Sequence, residues 1–345
     1  MDLTIAAILG LDGLTNGAIY ALVALALVLV FSVTRVIFIP QGEFVAFGAL
    51  TLAALQMGKV PGTVWLLLMM AIAAAVLDVV QGLRERRAMA KIAFGMVETL
   101  SFPIGMAVVM PMWAPSQPAL WIQVLLTLAI VTAMGPLLYR LAYRALSGAS
   151  VLTLLIVSVG VHFALTGVGL VFFGAEGYRT PAFWDARFDV GPLSLTGQTL
   201  IIFGASIALI VALFVFFERT LTGKALRATS VNRTGARLMG ISGDAAGSQT
   251  FTMAAFIGAL SGLLISPSTT IYYDTGFLIG LKGFVAAVFG GLASFPMALA
   301  GALGVGLIES FGSFWASAFK EVIVFTVILP VLLWRSFVDP HHEEH

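Results

Sequence analysis

Seven ionisable residues sit inside apolar runs of this 345-residue chain: Glu43, Asp78, Glu98, His162, Lys282, Glu309 and Glu321. Taking a charge out of water is costly, so each needs a partner, a water-filled space or a task. Lys282 and Glu309 lie in adjoining segments and are expected to pair in the interior. Glu43 follows Pro40-Gln41-Gly42, a break in the apolar pattern, and its head group is expected in a vestibule at the inner face. Asp78 is expected to reach back towards the basic end formed by Arg84, Arg86 and Arg87. His162 reads either as a pH-sensitive group or as a hydrogen-bonded helix contact, and Glu98 has no role that its surroundings suggest. Glu43, Lys282 and Glu309 are the candidates for lining a polar path through the interior.

A second constellation is the polar stretch from Glu218 to Ser248, the longest in the chain. It carries Arg219, Lys224, Arg227, Arg233 and Arg237 among good helix formers. Asn232 and Gly235 permit a bend, and Gly240 can close a second short helix in the left-handed conformation. Two short helices at a membrane face are therefore expected. A basic loop that only sets topology accounts for the charge. A docking element for a partner also accounts for the length and the helix-forming residues, with Lys224, Arg227, Asn232, Arg237 and Gly240 as the residues to watch.

Other chemistries find no residues to run on. The chain has no cysteine, so disulfides, thiolate catalysis and cysteine metal sites are excluded. No histidines stand at metal-ligand spacing, no Ser/His/Asp set is suggested, and no metal or cofactor is expected. His341, His342 and His345 read as a polar tail. A phosphate-cradling loop needs a glycine five residues before Gly-Lys-Ser/Thr. Gly223-Lys224 is followed by Ala225 and preceded at that place by Glu218. The net charge of +1 offers nothing to nucleic acid.

The elements that must position these residues are membrane spans. Hydrophobic residues make up 60% of the chain and charged ones 10%, with a mean hydropathy of +1.04. A soluble domain carries about 25% charged residues, so this surface is built for lipid. Spans of about 20 apolar residues read at 12–34, 42–57, 62–82, 92–112, 119–139, 150–173, 198–217, 249–266, 277–293, 297–313 and 320–336. Those at 42–57, 277–293 and 297–313 are short and are expected to be tilted, broken or re-entrant. The fold expected is all-α and integral to the membrane: one polytopic bundle, residues 1–345, of about 8–11 transmembrane helices. Arg84 to Lys91, Arg140 with Arg144, and the 218–248 loop all fall on one side, with Arg35 and Arg335. Basic loops stay in the cytoplasm, so the N-terminus is expected outside and the C-terminus inside. The first charge, Asp2, does not suit a cleaved signal. Ala300/Gly304 and Ala302/Gly306 are small-xxx-small pairs suited to close helix packing.

The chain resembles the permeases of branched-chain amino acid ABC importers. The resemblance rests on Asn16-Gly17-Ala18-Ile19-Tyr20-Ala21, Gly42-Glu43-Phe44, Gly223-Lys224-Ala225-Leu226-Arg227-Ala228 with Asn232, and Ala236-Arg237-Leu238-Met239-Gly240-Ile241. It extends through the run from Gly276 to Leu292, then Gly306-Leu307-Ile308-Glu309 and Phe319 to Phe325. It implies a permease subunit of the bacterial inner membrane, with 218–248 as a cytoplasmic coupling loop; Glu43, Lys282 and Glu309 stay translocation-path candidates on the ground of their buried charge. It implies, as partners, a second related permease, two cytoplasmic ATPase subunits and an extracytoplasmic solute-binding protein. Branched-chain or other hydrophobic amino acids are the first solutes to consider, then urea, short amides or aromatic acids. An ion-coupled transporter or channel is the reading of another class. Two departures stand out. Phe38-Ile39-Pro40-Gln41-Gly42 replaces a run that has histidine before the glycine in the family, and residues 80–118 look like inserted spans.

Overall fold

In lipid a backbone has no water to bond, so runs this apolar satisfy their N–H and C=O groups as helices. The computed structural model describes residues 3–86, 88–191, 193–327 and 329–333. Six helices come first: α1 (Leu3–Thr34), α2 (Gln41–Gln56), α3 (Gly62–Arg84), α4 (Met89–Trp113), α5 (Leu120–Leu138) and α6 (Val151–Phe173). A two-stranded antiparallel hairpin, β1 (Arg187–Val190) and β2 (Leu193–Thr196), leads into α7 (Gly197–Arg219). Then follow α8 (Leu221–Val231), α9 (Arg233–Leu238), α10 (Gly243–Ile265), α11 (Thr275–Phe289), α12 (Phe295–Ala316) and α13 (Lys320–Thr326). Eight helical stretches among the described residues are long and apolar enough to cross a membrane. The chain is a polytopic all-α membrane bundle.

The helix starts are written in capping residues. Ser150, Thr196, Thr220, Asn232 and Ser242 each accept a bond from the backbone N–H three residues on, opening α6, α7, α8, α9 and α10. The core centres on α1 and α2. Every residue of α2 from Gln41 to Leu55 is buried, so this short helix is a central post and not a lipid-facing span. Of the other two short predictions, 277–293 is the 15-residue α11, and 297–313 is corrected at α12, which runs 22 residues from Phe295 with Pro296 in its first turn.

Close approach of backbones holds the centre together. A Cβ at Gly17 of α1 would lie 2.9 Å from Leu303 Cα, and one at Gly306 of α12 would overlap the Gly13 carbonyl. The Ala302/Gly306 pair is thus the packed face. Ala300 is exposed, and a Cβ at Gly304 would meet open space. At the α2–α11 crossing, a Cβ at Gly42 would overlap the Gly276 carbonyl.

The break at Pro40 is covered by protein. Val36 and Phe38 are buried, and the Phe38 ring packs on Phe44, Tyr143 and Phe251 at centroid distances of 5.8, 5.9 and 4.8 Å. Irregular backbone at this depth survives because side chains shield it. In α5, Pro136 removes one backbone donor, and a π turn follows at Tyr139–Tyr143. The hairpin and the π turn were not anticipated from sequence. Arg87, Arg335, His341, His342, His345 and the end of the last predicted span lie outside the described residues.

Candidate functional site

The expected docking loop forms two short helices. Thr220 caps α8, which runs to Val231. Asn232 leaves helical geometry (φ −148°, ψ 99°), and its Oδ1 accepts from Gly235 N at 2.8 Å to start α9. The bend is therefore at Asn232, with Gly235 inside α9. Gly240 has φ +83°, the left-handed conformation expected of it. Leu226, Thr229 and Ala236 turn inwards.

The loop is fastened to α1 through Arg233, whose Nε and Nη2 donate to the Val33 carbonyl at 3.1 and 2.5 Å. Burial, with Arg35 and Arg237 nearby, holds this guanidinium below its ordinary pKa. The Val33 acceptor is one of the carbonyls that α1 leaves unpaired at its end. Arg227 pairs with Glu218 at 2.8 Å. Outwards the loop shows Lys224, Arg227 and Arg237 beside Leu221, Val231, Leu238 and Met239, whose exposures are 82–87%. Four apolar side chains that bare, among cations, form a surface suited to a protein partner.

The second feature is a buried charge network. Lys282 Nζ of α11 lies 2.5 Å from Glu309 Oε1 of α12 and 3.1 Å from Glu321 Oε1 of α13. Tyr20 of α1 donates to Glu309 Oε2 at 2.5 Å. Lys282 also sits 5.7 Å from the centroid of the Tyr20 ring. One ammonium thus serves two carboxylates. The expected Lys282–Glu309 pair is present. Tyr20 is the member that sequence reasoning missed.

The third feature is the start of α2. Glu43 is 1% exposed, and its Oε1 lies 2.6 Å from His162 Nδ1 of α6. The vestibule expectation fails here: α6 covers the carboxylate, and the Glu43 Oε2 atom has no hydrogen-bond partner among the described residues. His162 makes a hydrogen-bonded contact between helices, as one of its two readings had it. Its ring stacks on Phe277 at 4.5 Å. Ser158, His162 and Thr166 follow at intervals of four, the spacing of one helix face. Ser158 meets the Tyr143 hydroxyl at 3.1 Å, and Thr166 lies 3.5 Å from His162 Nδ1. Gln41 donates to the Ala254 carbonyl at 3.0 Å.

Among the described residues Asp78 forms no ion pair with Arg84 or Arg86. Its carboxylate faces Arg140, within the π turn, and Arg144, just after it, each at 3.8 Å. Glu98 is exposed on α4.

A polytopic helical bundle with charge networks in its interior and a two-helix loop at one end defines an integral membrane protein of the all-α class. The family described as "Branched-chain amino acid transport system / permease component" matches residues 85–332, and the chain belongs to it. The high-affinity branched-chain amino acid transport system permease protein BraD of Pseudomonas aeruginosa is 26% identical over 338 residues, covering 94% of this chain and 92% of BraD. LivH of Escherichia coli K12, a permease protein of the same transport class, is 29% identical over 213 residues, 60% of this chain and 69% of LivH. Among solved structures, PsaBC from Streptococcus pneumoniae in complex with Fab aligns over 95% of this chain and 91% of that one, at 12% identity and a TM-score of 0.41.

Proposed function

We propose that this chain is a permease subunit of a multi-subunit ABC importer of the inner membrane. With a second, related permease it forms the path for branched-chain or other small hydrophobic amino acids. Two cytoplasmic ATPase subunits drive it, and an extracytoplasmic binding protein delivers solute. The N-terminus is outside, the C-terminus and the 218–248 loop are cytoplasmic, and residues 80–118 add α4 to the family's plan. Family membership supports the class. The observation that carries the mechanism is the α8–α9 loop, which bares Leu221, Val231, Leu238 and Met239 among cations and grips the end of α1 through Arg233. A partner that prefers one position of this loop shifts the bundle towards the matching state.

Glu43, Lys282 and Glu309 belong to the helices that rearrange along the path. Urea, short amides and aromatic acids are the alternative solutes, since Gln41 stands where the family places histidine. The buried Glu43–His162 pair favours a second reading, an ion-coupled transporter or channel. Replacing Arg227 and Arg237 together by glutamate is expected to abolish co-purification of the ATPase subunits while membrane insertion is retained. Unchanged association removes the docking role. Solute uptake by vesicles that hold no ATPase removes the importer reading.

A further inference from the structure

The first half of α4 stands away from the bundle. Its buried residues are Thr99, Pro103 and Met110, so positions 89–98 bury none. Among the long helices it packs substantially against α3 alone. The wedge left between α4 and the neighbouring ends of α3, α5 and α10 is a cavity of about 690 Å³. Gly95, Ala88 and Ala245 keep it wide, and six charged side chains line it: Asp78, Lys91, Glu98, Arg140, Arg144 and Asp244.

Four of these charges already serve one another. Arg144 Nε meets Asp244 at 3.0 Å and its Nη1 faces Asp78 at 3.8 Å, while Arg140 faces Asp78 at 3.8 Å and donates to Thr99 Oγ1 at 3.1 Å. Lys91 and Glu98 form no ion pair and no side-chain hydrogen bond among the described residues, yet both line the cavity. They are seven residues apart, two turns along one face of α4. The wedge thus offers a free cation and a free anion together. It is flanked by the exposed apolar side chains Phe94 and Val97 of α4.

The geometry points to a binding site for a phospholipid whose headgroup carries both a phosphodiester and a primary ammonium. The phosphodiester sits against Lys91 and Arg140, and the ammonium donates to Glu98. A lipid is the occupant because the wedge is bounded on one side by a helix whose outer face is apolar and exposed. Both charge signs are needed because the lining offers one unpaired group of each. The site adjoins the 218–248 segment, whose Asp244, Ala245 and Ser248 line it, while Glu43, Lys282 and Glu309 do not.

The test is native mass spectrometry of the purified full-length chain in an equimolar mixture of phosphatidylethanolamine, phosphatidylcholine and phosphatidylglycerol with matched acyl chains. Phosphatidylcholine keeps the charge but has no N–H to donate, and phosphatidylglycerol has no ammonium. Phosphatidylethanolamine is expected to be retained about tenfold over phosphatidylcholine, the worth of one hydrogen bond to a charged group. Glu98→Gln is expected to bring that ratio close to one. Gly95→Leu, where an added Cβ meets open space in the structure, is expected to lower retention of all three lipids without lowering the unfolding temperature. Equal retention of the ethanolamine and choline lipids by the unaltered protein overturns the proposal. So does a ratio that Glu98→Gln leaves unchanged, a preference for phosphatidylglycerol, or full retention by Gly95→Leu.

Discussion

Lys282→Met tests whether the buried network is an energetic unit. The Lys282 and Glu309 side chains are 7% and 10% exposed, and their charged atoms are 2.5 Å apart. At an effective dielectric near 20, two unit charges at that distance attract by about 7 kcal/mol before desolvation is counted. Desolvation consumes much of this, but removing one partner strands the other and costs about 3–5 kcal/mol. Methionine matches the length of the lysine stem, so packing is largely kept. The substitution leaves Glu309 with Tyr20 alone and leaves Glu321 close to a second carboxylate. Glu309→Gln is milder, at about 1–3 kcal/mol, because Lys282 keeps Glu321 at 3.1 Å and Tyr20 keeps an acceptor. In the double variant Glu309 is no longer a stranded carboxylate, so its loss should fall short of the sum of the two single losses by about 1–3 kcal/mol. Reversible unfolding in mixed micelles of the four proteins gives the cycle. A Lys282→Met protein within about 0.5 kcal/mol of the unaltered chain, or strictly additive losses, refutes the reasoning.

Three further outcomes follow from the same geometry. His162→Phe leaves the buried Glu43 carboxylate without its partner and should destabilise the protein by about 3 kcal/mol or more; adding Glu43→Gln should recover part of this in the same unfolding assay. Arg233→Gln removes two bonds from a charged donor to the Val33 carbonyl, about 1.5–3 kcal/mol, and hydrogen exchange of residues 221–241 should speed up while α10 is unaffected. Gly42→Leu forces α2 and α11 apart, an overpacking loss of about 1–3 kcal/mol or more, whereas Gly160→Ala, with open space around it, should leave the unfolding temperature unchanged.

The spans were legible in the sequence because span length and apolar content are local. The predicted 62–82 and 150–173 appear as Gly62–Arg84 and Val151–Phe173. The loop helices were legible for the same reason, from Lys224 to Val231 and from the glycine that ends α9. Partners were less so, because they depend on which helices meet. Glu43 finds His162, 119 positions away, and Asp78 meets Arg140 in a π turn that only Pro136 foreshadows. Two signals were present and unread. Ser158, His162 and Thr166 repeat every four residues, as a polar helix face does. Arg187-Phe188-Asp189-Val190 and Leu193-Ser194-Leu195-Thr196 alternate in polarity around Gly191, as hairpin strands do. The depth of α2 was not legible at all, since a helix apolar on every side fits lipid and core equally.

The two buried networks are joined through a single helix. Gly276 of α11 meets Gly42 of α2 backbone to backbone, so neither helix can roll there without a clash. Glu43 follows Gly42 directly, and its partner His162 stacks on Phe277, the residue after Gly276. Six residues beyond Gly276, the same helix carries Lys282 to Glu309 and Glu321. A shift of α11 relative to α2 therefore disturbs the stacked imidazole at one point and the ammonium at another. Close-packed interfaces of this kind move between discrete arrangements and do not deform continuously. The loop end of the bundle is tied into the same body, because α1, which Arg233 holds at Val33, carries Tyr20 to Glu309. α9 and the Lys282 network are thus connected through one continuous helix, α1.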